Sequence, residues 1–116
     1  MDAIKSTDRT VANIKTGVFE PFLNDDGTED GEVLQVNGGR PGYGFHVYRM
    51  KPGMTTIAHT HRGDEEFFVI EGDLRDHDGY VYKPGDIVCL TSGTTHNSYS
   101  ETGCTLVVMF RGEDEN

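Results

Sequence analysis

From Gly17 onward the sequence is a succession of short apolar or alternating runs separated by glycine-rich turns. This texture constrains the fold more than any other feature. A helix needs an unbroken 3.6-residue stripe, whereas a strand needs only a short run between turns. Eight runs read as strands: Gly17–Phe22, Glu32–Val36, Gly44–Lys51, Glu65–Glu71, Tyr80–Lys83, Asp86–Leu90, His96–Ser100 and Cys104–Arg111. Glycine supplies 15 of the 116 residues, as a turn-rich chain requires. Asp76, His77, Asp78 and Gly79 form a hairpin signal, with Gly79 free to take φ above zero. Lys83 to Asp86 spell a second tight turn. The best helical stretch, Asp8–Lys15, is short. Eight closely spaced strands predict an all-β sandwich or barrel.

The length suits one domain over residues 1–116, with an N-terminal arm at 1–16 and an acidic tail at 112–116. A hydrophobic content of 34% is low for a self-sufficient monomer, so a homodimer is expected. The net charge of −10 repels phosphate backbones and anionic headgroups, which argues against nucleic acid and membrane partners. The acidic runs Asp25–Glu32 and Glu113–Glu115 read as solvated loop. Cys89 and Cys104 form no Cys-x-x-C pair and lie in apolar runs, which predicts buried, reduced thiols. The start has no apolar leader, and no run approaches the roughly 20 residues that span a bilayer. A cytoplasmic location is expected.

Chemistry concentrates in the histidines: His46, His59, His61, His77 and His96. On a strand, His59 and His61 share one face and can reach one point. Glu65 follows after Arg62, Gly63 and Asp64, a gap that suits a turn. A carboxylate at the mouth of an apolar strand needs a cation or donor to offset its desolvation. A His-x-His pair alone is more often solvated or packed than metal-bound, so context has to decide.

The context is a pair of spaced patterns. Gly53, His59, His61, Glu65 and Gly72 resemble the first cupin motif at every fixed position. Gly85, the Thr91, Ser92, Gly93 turn, His96 and Ser100 resemble the second, with Thr91 where the family usually has proline and Ser100 where it has asparagine. The resemblance implies a jelly-roll (double-stranded β-helix) barrel. In it His59, His61, Glu65 and His96 face the bore and hold one divalent transition metal: Fe, Mn, Ni, Zn or Co. The spacer between the motifs, Asp73 to Pro84, has room for a hairpin.

Within the cupins, a longer stretch is similar to ChrR-like cupin domains, a subgroup that includes acetylacetone-cleaving dioxygenases. It runs from Glu65–Gly72 through Asp76–Gly79 and Lys83–Gly85 to Thr95, His96 and Thr102–Cys104. ChrR-like proteins also carry a separate N-terminal zinc module with a Cys-x-x-C, which this sequence lacks, so an anti-sigma role by that route is not expected. The resemblance implies an Fe(II)-type dioxygenase that cleaves a C–C bond next to a carbonyl in a small-molecule substrate. Isomerase and lyase cupins use the same ligands. The alternative it implies is a non-catalytic zinc-bound sensor or regulatory binding module.

Period-2 alternation then assigns neighbours. Met50 stands where the family's inward aliphatic sits, so His46 and Tyr48 face inward with it and become candidate catalytic residues able to exchange a hydrogen bond with a bound oxygen. Core packing of the two is the competing reading. Phe67 and Val69 share the face of Glu65 and should wall the pocket with Met50. Phe68 and Ile70 face outward. His77 is read as a solvated turn residue, Cys104 as core, and Arg111 as a rim salt bridge.

Overall fold

The computed structural model describes residues 1–112, so the acidic run Glu113–Glu115 lies outside the described residues. Twelve strands follow in chain order: β1 (Glu20–Leu23), β2 (Glu29–Leu34), β3 (Gly44–Met50), β4 (Met54–Thr55), β5 (His59–Thr60), β6 (Glu65–Gly72), β7 (Leu74–Asp76), β8 (Val81–Tyr82), β9 (Ile87–Leu90), β10 (Thr95–His96), β11 (Ser98–Ser100) and β12 (Cys104–Phe110). Six form one sheet in the order β1-β2-β3-β12-β6-β9. Four form a second, β4-β11-β7-β8, and β5 and β10 make a two-stranded ribbon. The fold is the all-β cupin jelly roll.

The register of the large sheet shows how the sequence builds a cavity wall. β12 runs antiparallel between β3 and β6, which aligns inward side chains in rows across strands. Val33, Tyr48, Leu106 and Val69 form one row, and His46, Val108, Phe67 and Val88 the next. A third runs through Gly44, Phe110, Glu65 and Leu90. Each row therefore sets one polar side chain among apolar neighbours: Tyr48 in the first, His46 in the second and Glu65 in the third. Met50, Phe67, Val69, Leu74, Tyr82, Cys104, Leu106 and Val108 form the core. Gly72 closes it: its φ is 88°, and a Cβ there would collide with the Gly103 carbonyl.

Two strands, β4 and β7, do not stand out as runs, because they are two and three residues long, and the strand that carries His59 is the two-residue β5. The run His96–Ser100 splits at Asn97 into β10 and β11. The helical candidate Asp8–Lys15 does not form. A 3₁₀ turn covers Ser6–Asp8, and the Asn13 side chain accepts the Lys15 N–H in a local turn instead. Residues 1–16 are exposed, so no apolar face rewards helix formation there.

Two further expectations need correction. Cys89 is exposed and only Cys104 is buried. In β9, Val88 and Leu90 turn inward while Ile87 and Cys89 turn outward, so an apolar run on a two-faced strand hides only half its side chains. The run Asp25–Glu32 is also not all loop. Glu29 to Glu32 belong to β2, and Asp30 is buried at 8% exposure. No helix of the described residues is long and apolar enough to cross a membrane.

Candidate metal centre

The ribbon converts two distant stretches of sequence into one site. β5 and β10 pair antiparallel with His96 opposite His59 and Thr95 opposite Thr60. The pairing continues past β5, where His61 N–H donates to the Thr94 carbonyl and Gly93 N–H to the His61 carbonyl. On the outer side the hydroxyls of Thr60 and Thr95 bond at 2.7 Å. The inner side is left to His59, His61 and His96. Each offers a ligand atom, and these lie within 4.8 Å of one another.

The ring geometry fits a shared cation. His59 Nε2 and His61 Nε2 stand 3.0 Å apart. Two nitrogens at right angles around a metal, each about 2.1 Å from it, are separated by about 3.0 Å. His96 Nε2 is buried with no hydrogen-bond partner among the described residues. A buried imidazole nitrogen is rarely left so, and a metal would satisfy it. His61 Nδ1 is the other buried ring nitrogen without a partner. Three neutral imidazoles suit Fe, Zn, Mn, Ni or Co. Glu65 Oε2 lies 3.6 Å from His61 Nε2, beside the trio.

The rings are oriented by different means. His59 Nδ1 donates to the Ile57 carbonyl at 3.0 Å, which leaves Nε2 as the lone-pair nitrogen. His96 Nδ1 donates to Asp76 Oδ1 at 3.0 Å. Asp76 is itself buried and accepts two further bonds, from Ser98 Oγ at 2.6 Å and Tyr82 Oη at 2.5 Å. Carboxylate support of a metal-ligating histidine fixes its tautomer and raises its basicity. Sequence reading assigned Asp76 only to a turn. The turn is there, with Gly79 N–H donating to the Asp76 carbonyl, but β7 points the carboxylate inward at the same time. The signal that could have revealed it was alternation: Leu74 and Asp76 share one face of β7.

Electrostatics differ between the rings. Burial, followed by the nearby His59 and His96, pushes His61 down to about 4. Burial also lowers His96, but the hydrogen bond and charge of Asp76 outweigh it and raise the ring above its ordinary value. Burial would raise Asp76, yet bonds from His96, Ser98 and Tyr82 hold it below the usual carboxylate range.

The trio opens on a cavity of about 530 Å³. Its lining includes Glu65, His46, Tyr48, Met50 and Phe67, all expected there. Val69 is not part of the lining; fully buried, it packs in the core. His46 and Tyr48 differ in what they have left to offer. His46 Nδ1 donates to the Gly44 carbonyl at 3.0 Å, and burial lowers its pKa, so Nε2 is an acceptor on a neutral ring. The Tyr48 hydroxyl donates to the Asp30 carbonyl at 2.6 Å, so its one proton is committed to β2. His77 is exposed in the turn, Cys104 is core, and Arg111 meets Glu66 at 3.0 Å on the rim, each as expected.

Comparison with known structures places this architecture. A chain in the crystal structure of Rhodobacter sphaeroides SigE in complex with the anti-sigma ChrR matches with a TM-score of 0.63 and 18% identity, over 84% of this chain and 51% of that one. This chain thus spans about half the length of that relative. An acetylacetone dioxygenase from Acinetobacter johnsonii matches with a TM-score of 0.65 and 18% identity, over 95% and 80% of the two chains. An RmlC-like cupin from Shewanella frigidimarina matches with a TM-score of 0.61 and 18% identity, over 92% and 94%. Such identities establish a shared fold. No curated protein matches the sequence. Residues 10–112 match the model of the ChrR cupin-like domain, and the chain belongs to that family.

Proposed function

We propose that this chain is a metal-dependent enzyme that cleaves a C–C bond beside a carbonyl in a small substrate, using O₂. His59, His61, His96 and Glu65 hold one divalent metal, iron for this reaction. The observation that carries the reading is the cavity. A structural metal site is closed, whereas this histidine trio lines a space of about 530 Å³, within the range of small-molecule pockets. A divalent iron there supplies Lewis acidity toward carbonyl oxygens and the electrons that O₂ chemistry needs.

The chain's own residues do the rest. Phe22, Phe67 and Phe110 line the cavity and shield a small apolar substrate from water. His46 Nε2 accepts a hydrogen bond and orients the substrate. Tyr48 contributes its ring and oxygen lone pairs, since its proton is held by Asp30. The reaction class follows the acetylacetone dioxygenase by analogy of fold, and the cavity supports a small-molecule substrate. The test is O₂ uptake by the iron-reconstituted protein with a panel of β-dicarbonyl compounds. Uptake matched by substrate loss is expected. No turnover across the panel, with iron bound, would remove this reading.

A second reading is a zinc-bound regulatory module acting through a protein contact. What favours it is the outer face of the large sheet. Phe45, Phe68, Ile87 and Met109 are exposed there, and the register sets Phe45 beside Met109 and Phe68 beside Ile87. A contiguous apolar face suits a protein partner, in the simplest case a second copy of the chain. Inert iron-loaded protein that sediments as a dimer would support this reading.

A further inference from the structure

A buried carboxyl group that is not among the proposed metal ligands also lines the cavity. Asp30 sits in β2 at 8% exposure, within the same lining as the three histidines. Its Oδ1 accepts the Ile57 N–H at 3.2 Å, which places it beside the segment leading into His59. Its backbone carbonyl receives the Tyr48 hydroxyl. Neither bond needs a negative charge. An amide oxygen would serve Ile57 equally, and Tyr48 uses the main chain. Burying a carboxylate costs free energy, and neither hydrogen bond made by Asp30 uses its charge. Burial raises its pKa, and the Ile57 bond and His59 offset this only in part. A carboxylate so desolvated is a stronger base than one in water.

We propose that Asp30 is the general base of this cavity and takes the α-proton of a carbonyl substrate. The inference rests on the substrate being a small carbonyl compound, as argued above. The C–H bond breaks, its electron pair moves into the C–C–O system to give an enolate, and the proton goes to an Asp30 carboxylate oxygen. Nothing is oxidised or reduced, so the step can be observed without O₂. Return of a solvent proton from Asp30 to the same carbon completes an exchange.

The test is hydrogen–deuterium exchange at the α-carbon of ethyl 2-methylacetoacetate in D₂O, read by proton NMR. The protein is zinc-loaded, so that no cleavage intervenes, and the exchange in buffer alone is subtracted. Asp30→Asn keeps the oxygen that serves Ile57 and the carbonyl that serves Tyr48. Its metal content should therefore match the wild type and its melting temperature should be no lower, while exchange should fall about 100-fold or more. Exchange by Asp30→Asn at the wild-type rate would overturn the proposal. So would a wild-type rate no faster than buffer, or a loss confined to His46→Gln, which would assign the proton to the imidazole. Asp30-dependent exchange in a protein whose iron form consumes no O₂ would sustain this inference and remove the dioxygenase reading alone.

Discussion

The large sheet and the β5–β10 ribbon solve different problems. β12 pairs with β3 and β6 from Cys104 to Phe110, with one register shift against β6 between Thr105 and Leu106, and alternation beyond it sends Leu106, Val108 and Phe110 inward. The ribbon has two residue pairs, extended by the His61 bonds to Thr94 and Gly93, too short a ladder to fix three imidazoles. Its precision comes from side-chain and main-chain bonds around the rings: Ile57 for His59, and Asp76 with Ser98 and Tyr82 for His96. This barrel thus shapes the cavity with its backbone and aims the rings of His59 and His96 with hydrogen bonds, while His61 is held by its main-chain bonds to Thr94 and Gly93. Mutations in the two regions should therefore separate stability from metal affinity.

The one change expected to affect both strongly is at Asp76. Asp76→Ala strips the acceptor from His96, Ser98 and Tyr82 together. It should destabilise the fold by about 3 kcal/mol, seen as a lower urea midpoint. It should also weaken metal binding roughly 10–100-fold in a competition titration. Unchanged affinity would mean that the ribbon aims His96 without help. Val69→Ala is the contrasting case in the large sheet. Val69 is fully buried but does not line the cavity, so it should cost about 2 kcal/mol of stability and leave metal affinity intact.

These two residues also mark what sequence can and cannot show. The inward set His46, Tyr48, Met50, Glu65, Phe67 and Val69 was legible because long strands obey period 2. His59, His61 and His96 were legible through their spacing. Asp76 and Asp30 were not. Each lies in a stretch whose composition spells turn or solvated acidic run, and burial comes from tertiary placement of a short strand or strand end. Which inward residues line open space and which fill the core is likewise a matter of volume, not of alternation, as Val69 demonstrates.

A smaller effect, acid sensitivity of the metal-free protein, sharpens the contrast within the ribbon. His61 is lowered from 6.5 to about 4. The folded state therefore binds fewer protons than the unfolded chain between those values, and His61 makes stability fall as pH drops through them. His96 is raised, so its contribution has the opposite sign: full below 6.5 and lost as pH rises through its folded value. Asp73 is lowered to about 2, first by the Thr102 hydroxyl and then by the Glu101 and Thr102 N–H groups, so its contribution fades only below 3.8. Melting temperature against pH should show a flatter slope between 6.5 and 4 in His61→Gln. An unaltered slope would mean that His61 is not held neutral by its surroundings.

The central claim is that one divalent cation is held jointly by both arms of the ribbon. Elemental analysis of protein purified without added metal, then repeated on His96→Ala, tests it most directly. The account predicts about one transition-metal ion per wild-type chain and almost none in a mutant that still melts cooperatively. Equal metal content in the two folded proteins would contradict it.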